Sequence, residues 1–395
     1  MKKSLFIIAA TALVISCANN DVKNDIVLED IPIGFSPSFM EKSTKANAGE
    51  MIIDRTNSIN TFNVDGNTFE VWGWKTNTSG TTKVFDNVVV EYDEDDQTAS
   101  STNWIYSPLK YWDRTASYKF YAAAPDNTFT LVEDDSDDAN RKFSASNIPS
   151  VQTLQNKDAH NATSLIKLAN AAANVPGTAS EAIDYMVAAK VECAAGAANQ
   201  SNNSPRYQND KDVEFTFNHI LSKLTVNVLT SDDFAPSGKP EIKLTELTMS
   251  LNGMAQSYAQ ATAGSVAPAS DAWSSAITNA VTETCFYANA ANAALGVDSL
   301  LLTATGQQVA SYFVAPTATT SGAAEVKVIA KYTVFYADGV KENCVTPETT
   351  VENLTSFVQN NSYTLNIKIA PGPILFDVNV VNGFTPVTAI EQEVE

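Results

Sequence analysis

Histidine, cysteine and positive charge are scarce in this chain, and each shortage narrows what it can do. Its 395 residues include two histidines, four cysteines and 25 Lys+Arg against 45 Asp+Glu. His160 sits in a polar stretch with no Cys or His beside it, and His219 lies on the apolar side of a strand-like run. A hydrogen-bonded structural histidine is a simpler reading of His219 than a general base. The motifs Gly-x-Ser-x-Gly and His-Glu-x-x-His and the phosphate-cradling glycine loop are missing, so nothing points to an enzyme or a cofactor. A formal charge of −20 argues against nucleic acid and anionic lipid as partners. Apart from Cys17, the cysteines are Cys193, Cys285 and Cys344, an odd number that allows at most one internal bridge. Cys285 and Cys344 are close enough in the chain to share a domain and pair, while small buried thiols are the simpler reading. There is no metal-type Cys-x-x-Cys.

Aromatic and β-branched residues are present in quantity, and 44% hydrophobic content suffices for ordinary cores. The stretch Trp72–Pro125 holds four of the five tryptophans and reads as short strands broken by Gly, Asn, Asp and Pro. Tyr118, Phe120 and Ala122 share a parity, so one face of their strand can be buried. A β-sandwich core explains these aromatics, because they recur at strand spacing. A carbohydrate-stacking platform is the alternative, and an exposed patch near Trp72, Trp74 or Trp273 would favour it. Two acidic clusters, Glu91–Asp96 and Asp134–Asp138, invite a calcium reading. Neither has the Asp-x-Asp-x-Asp-Gly order, so solvated loops are the expectation and no metal site is assigned.

The start of the chain is a leader. Lys2-Lys3 precede the apolar run Leu5–Ile15, which is too short to span a bilayer as a helix. Val14-Ile15-Ser16-Cys17 resembles a bacterial lipobox, which implies cleavage before Cys17, acylation of Cys17 and a lipid anchor in a membrane. An ordinary signal peptide with an incidental cysteine is the alternative. Loss of Lys2 and Lys3 takes the 25 basic residues to 23 against 45 acidic, a net charge near −22.

The order Trp104-x-Tyr106-Ser107-Pro108-x-x-Tyr111-Trp112, then Tyr118-x-Phe120-Tyr121-Ala122-x-Ala124-Pro125, then Phe215-x-Phe217-x-His219-x-Leu221-Ser222-Lys223-Leu224-x-Val226-x-Val228 resembles the fimbrillin family of type V pilus subunits. With the leader and the closing strands, the likeness covers most of the chain. It implies two tandem Greek-key, transthyretin-like β-sandwiches. It also implies export as an outer-membrane lipoprotein and polymerisation with other copies or related subunits into a surface fimbrium that serves adhesion. A trypsin-like protease would remove the first strand, and the C-terminal strand of another subunit would take its place. The family's usual arginine in a Thr-Arg-Ala-like setting is replaced by Lys45, and the first arginine is Arg55, so both are candidate cut sites. A non-polymerising surface lipoprotein, or a tip or anchor adhesin binding a glycan or host protein, is the alternative.

Taken in order, residues 1–16 are the signal peptide, and 17–55 a tether, removable strand and cleavage linker. Residues 56–232 form the first β-sandwich and 233–395 the second. In the tether, Asp25–Ile33 reads as a strand and 35–60 as a loop, for want of an apolar period. First-domain strands are expected at Thr68–Trp74, Val84–Glu91, Asn103–Tyr106, Ser117–Ala124, Phe143–Ile148, Ile183–Val191 and Val213–Thr230, with a bulge near Ser222-Lys223 where parity inverts. A short helix is expected at Ser164–Ala173. Thr230–Pro240, with two prolines, a glycine and acidic residues, is the expected linker. Second-domain strands are expected at Glu241–Leu251, Thr284–Tyr287, Asp298–Thr303, Ala310–Val314, Glu325–Phe335, Ser362–Ile369 and Ile374–Val380. In the last, Ile374, Phe376, Val378 and Val380 share one face, which suits a polymerising strand, and Pro371-Gly372-Pro373 suits a hinge.

Overall fold

The computed structural model describes residues 32–39, 67–93, 95, 103–113, 115–134, 137–154, 182–195, 212–230, 240–261, 271–277, 279–287, 299–318, 323–370 and 375–382. The expected helix at Ser164–Ala173 lies outside them, as do Cys17, Lys45, Arg55, His160 and Ile374. The protein is all-β. In chain order the strands are β1 (Phe35–Phe39), β2 (Thr68–Asn77), β3 (Gly80–Tyr92), β4 (Trp104–Ile105), β5 (Ser117–Ala124), β6 (Thr130–Leu131), β7 (Phe143–Ala145), β8 (Val151–Thr153), β9 (Met186–Ala188), β10 (Val191–Cys193), β11 (Val213–His219) and β12 (Ser222–Leu229). They continue as β13 (Glu241–Asn252), β14 (Ser257–Ala259), β15 (Ala272–Ser274), β16 (Val281–Tyr287), β17 (Leu300–Leu301), β18 (Gln307–Val314), β19 (Glu325–Phe335), β20 (Lys341–Val345), β21 (Thr349–Thr350), β22 (Asn361–Lys368) and β23 (Leu375–Asn382). One turn of 3₁₀ helix spans Asp138–Asn140.

Four sheets result. The largest runs β1-β11-β9-β5-β2-β3-β4, with β10 also on β5. Its middle strands are buried on both faces, which is why β2 reads Thr-Phe-Glu-Val-Trp-Gly-Trp rather than alternating. Phe69, Val71, Phe120 and Ala122 enter one core, while Trp72, Trp74, Tyr121 and Ala123 enter another. The small sheet β15-β14-β7-β6 covers the second face, with Phe143 edge-on to Trp72 at 5.3 Å. Two further sheets, β23-β22-β12-β18-β8 and β16-β13-β19-β20, supply Leu224, Val226, Leu365, Leu247 and Val328 to one core. Across that core Tyr312 donates its hydroxyl to Cys285 Sγ at 3.4 Å, and Tyr332 donates to the Ala370 carbonyl at 3.2 Å.

Three departures from the sequence reading bear on function. The expected loop after residue 35 begins with a strand, β1, whose Phe35 is fully buried. Of the expected strand Asp25–Ile33, only Pro32 and Ile33 are described. Val213–Thr230 is not one strand: the chain leaves the largest sheet at His219 and enters another at Ser222. The parity inversion there is a change of sheet rather than a bulge. Finally, pairing crosses position 232, because β12 lies between β18 and β22 and β7 pairs with β14.

Candidate functional site

The largest sheet curls until its two ends meet around β1. On one flank β1 pairs in parallel with β11, from Phe35 opposite Val213 to Phe39 opposite Phe217. On the other flank, Pro32 bridges Tyr111 and the Ile33 amide donates to the Lys110 carbonyl at 2.8 Å. The segment Pro32–Phe39 thus acts as a stave, with β11 along one edge from Gly34 onward and Lys110-Tyr111 against the other edge at its start. The parallel pairing is notable, since every other pairing in this sheet among the described residues is antiparallel. A strand joined to its neighbour by a tight hairpin is antiparallel, whereas a parallel one arrives by a separate route.

Phe35 is the wedge. Its ring stacks on Phe215 at 5.8 Å and meets Phe85 at 5.3 Å, Tyr106 at 5.4 Å, Phe120 at 6.1 Å and Phe69 at 6.4 Å. Burying such a ring contributes on the order of 1.5–3 kcal/mol, and each good aromatic pair adds about 0.5–1.5 kcal/mol. Gly73 makes room for this pocket: a Cβ there would come within 2.9 Å of Phe120 Cδ1 and 3.0 Å of Phe85 Cδ2. Tyr106 clasps the backbone, donating its hydroxyl to the Ile33 carbonyl at 2.8 Å and accepting from the Lys110 amide at 3.2 Å. Burial pushes its hydroxyl up to about 12, so it stays protonated and able to donate at physiological pH.

The C-terminal strand is held differently. β23 pairs antiparallel with β22 alone and forms the end of its sheet. Phe376 and Val378 are partly buried against the core, while Val380 is 48% exposed. Of the expected anchors, Phe376 and Val378 pack at home and Val380 does not; Ile374 lies outside the described residues.

Residues 55–386 match the fimbrillin-like family. The chain belongs to that family. Among solved structures, a fimbrial protein from Bacteroides vulgatus shares 13% identity, with 90% of this chain and 100% of that one covered and a TM-score of 0.45. The tip fimbrial protein Mfa3 from Porphyromonas gingivalis, C-terminally truncated, shares 11% identity over 81% of this chain and 95% of that one, with a TM-score of 0.31. No curated protein matches.

Other candidates in this fimbrillin-like chain are occupied by structure. Trp72, Trp74 and Trp273 are 3%, 1% and 4% exposed, so none forms a stacking platform. Arg141 lies over the Trp74 ring at 3.9 Å, and Trp273 donates Nε1 to Gln359 at 2.7 Å. His219 is buried with its Nδ1 2.9 Å from Asp184 Oδ1. In the second acidic cluster, Asp138 binds Lys119 at 2.7 Å and Lys190 at 2.9 Å, and those hydrogen bonds hold its carboxyl down to about 2. Asp137 caps the 3₁₀ turn and Asp134 accepts from the Asp137 amide and from Asn140. Cys193, Cys285 and Cys344 are free, and burial raises the first two to about 11 and about 12.

Sequence reading missed Phe35. The signal was there: Ile33-x-Phe35-x-Pro37-x-Phe39 alternates, but Pro37 and two serines disguise it.

Proposed function

We propose that this chain is a polymerising pilus subunit whose β1 is a removable stave. Membership of the fimbrillin-like family supports a pilus-subunit or adhesion role at the cell surface rather than enzymatic activity. The observation that carries the finer reading is the two-walled slot of β1, filled by a strand from the start of the chain. An external trypsin-like protease would hydrolyse one peptide bond after Lys45 or Arg55, freeing β1 from the body. Departure of β1 uncovers unpaired backbone on β11 and an apolar pocket, both of which favour β-augmentation. The C-terminal strand of a second copy, or of a related subunit, then fills the slot. Such head-to-tail contacts are heterologous and build filaments.

Export as a lipoprotein belongs to the same reading, with Cys17 acylated and the precursor anchored in the outer membrane. Several acyl chains at about 0.8 kcal/mol per buried CH₂ give a firm anchor. A Cys17→Ala precursor should take up no labelled fatty acid, and label in that variant would count against the anchor. The main test is trypsin treatment of the purified precursor, followed by N-terminal sequencing and electron microscopy. Filaments whose subunits begin after Lys45 or Arg55 are expected. Filaments built from chains that still begin at Cys17 would refute proteolytic triggering.

A further inference from the structure

The two end strands of this chain are written alike. From Pro32 the sequence runs Pro-Ile-Gly-Phe-Ser-Pro-Ser-Phe, and from Pro373 it runs Pro-Ile-Leu-Phe-Asp-Val-Asn-Val. Both carry Pro-Ile-x-Phe, followed by polar residues alternating with proline or an apolar residue. The first is seated in the slot, with Pro32 bridging Tyr111, the Ile33 backbone clasped by Tyr106 and Lys110, and Phe35 in the five-ring pocket.

We propose that the C-terminal strand of a second copy enters this slot in one register, with Phe376 replacing Phe35 in the aromatic pocket and the strand running parallel to β11. The register rests on the strand-exchange reading and goes beyond it by naming the occupant, its direction and its anchor. Direction follows because the shared pattern reads the same way along both strands. Position follows because a slip of two residues would put either Val378 or the residue before Leu375 where a phenylalanine ring fills a closed pocket, leaving a void whose lining loses its contacts. A slip of one turns the apolar set to the wrong face.

Position by position, the register has consequences that strand exchange alone does not. Ile374 takes the place of Ile33, whose side chain is buried in the core beside Phe35 and whose backbone meets Tyr106 and Lys110. Proline at 373 repeats proline at 32, so neither strand brings an amide to the bridge with Tyr111. Asp377 takes the place of Ser36, opposite Glu214, which is exposed on β11. Two carboxylates facing each other at a strand pair repel, and salt screens the repulsion. Leu375 takes the place of Gly34, the one position where the donor carries a side chain and the stave has none. The tyrosine of Trp-x-Tyr-Ser-Pro therefore acts as a positioning residue for the joint: it reads the backbone beside the phenylalanine, whichever chain supplies it.

Disulfide trapping in trypsin-treated chains tests the register. In a Cys344→Ser background, Glu214→Cys is combined in turn with Asp377→Cys and with Asn379→Cys. The uncut Ser36→Cys/Glu214→Cys chain should cross-link within itself and serves as the control for slot geometry. A ladder of cross-linked multimers from the 377–214 pair, with little from 379–214, is the expected result. A ladder from 379–214 instead overturns the register and leaves strand exchange standing. Filaments without a ladder from either pair overturn the register. A parent chain that never assembles after cleavage, or a 36–214 locked chain that still assembles, overturns strand exchange itself. As a second readout, Glu214→Lys should strengthen assembly about twofold to fivefold at low salt, with the gain shrinking as salt rises. An unchanged Glu214→Lys chain would place Asp377 elsewhere.

Discussion

β1 and β23 are both end strands carrying a phenylalanine, yet the fold treats them oppositely. β1 stands between two walls, and its Phe35 is enclosed by five rings. β23 hangs on one neighbour, and its Phe376 is only partly buried. Burial of a phenylalanine depends on the number of faces that close over it, not on the residue. The slot is thus the better home for a Pro-Ile-x-Phe strand, and β23 is the segment more easily spared from the body. Exchange would then run downhill once β1 has gone, because the donor gives up a shallow site for a deep one.

The largest effect that would sharpen this contrast is on precursor stability. Phe35→Ala should cost about 3–5 kcal/mol, as expected for deleting an enclosed aromatic ring. Phe376→Ala should cost about 1–2 kcal/mol, since its ring is only partly removed from water. Equal losses in denaturant titrations of the two variants would break the comparison. Truncation after Ala370 comes next. It removes a one-sided strand, so the chain should remain folded with a lower midpoint, yet fail to form filaments after trypsin. Filaments from the truncated chain would move the donor elsewhere.

A smaller effect is expected at the clasp. Tyr106→Phe leaves the Ile33 carbonyl without its side-chain donor and should cost about 1 kcal/mol, up to about 3 kcal/mol if no water replaces it. Hydrogen exchange should quicken at the Ile33 amide more than at the amides of β22. Uniform quickening would show that the hydroxyl supports the whole fold and not the stave. The smallest effect lies at neither end of the chain. The Asp138 carboxyl sits below its ordinary value, so its ion pairs add stability while it is ionised. That contribution is present above about pH 4–5 and is lost as pH falls towards 2. With partly exposed partners it should stay under about 1 kcal/mol, and Asp138→Asn should remove the acid limb without altering assembly.

Much of the fold was legible. Ser117–Ala124 and Glu325–Phe335 fall where aromatic and alternating patterns put them. Val84–Glu91 lies inside the longer strand Gly80–Tyr92. Short strands were harder. Val151–Thr153, Ser257–Ala259 and Ala272–Ser274 are three residues each, too short to show a period; the first borrows the edge of β18, and the other two pair with each other in the small sheet. Ile183–Val191 reads as one strand but forms two, since Met186–Ala188 pairs with β11 and β5 while Val191–Cys193 pairs with β5 alone.

By itself the sequence determined the class and the raw materials. Strand-length aromatic runs pointed to an all-β chain, and two histidines with no metal-type Cys-x-x-Cys offered no catalytic or metal motif. The Pro-Ile-x-Phe pattern shared by the two end segments is also a property of the sequence alone. Only the tertiary structure decided that Val213–Leu229 serves two sheets, and that the tryptophans face inward. It also decided that a phenylalanine followed by Ser36-Pro37-Ser38 is the wedge of a closed core. Local periodicity tells which side of a strand is apolar, but the walls that close over that side come from residues 34 (Phe69) to 180 (Phe215) positions away from Phe35. Phe35 meets Phe215 because β1 pairs beside β11, and meets Phe85 and Tyr106 because the sheet curls, and no window of neighbouring residues contains that information.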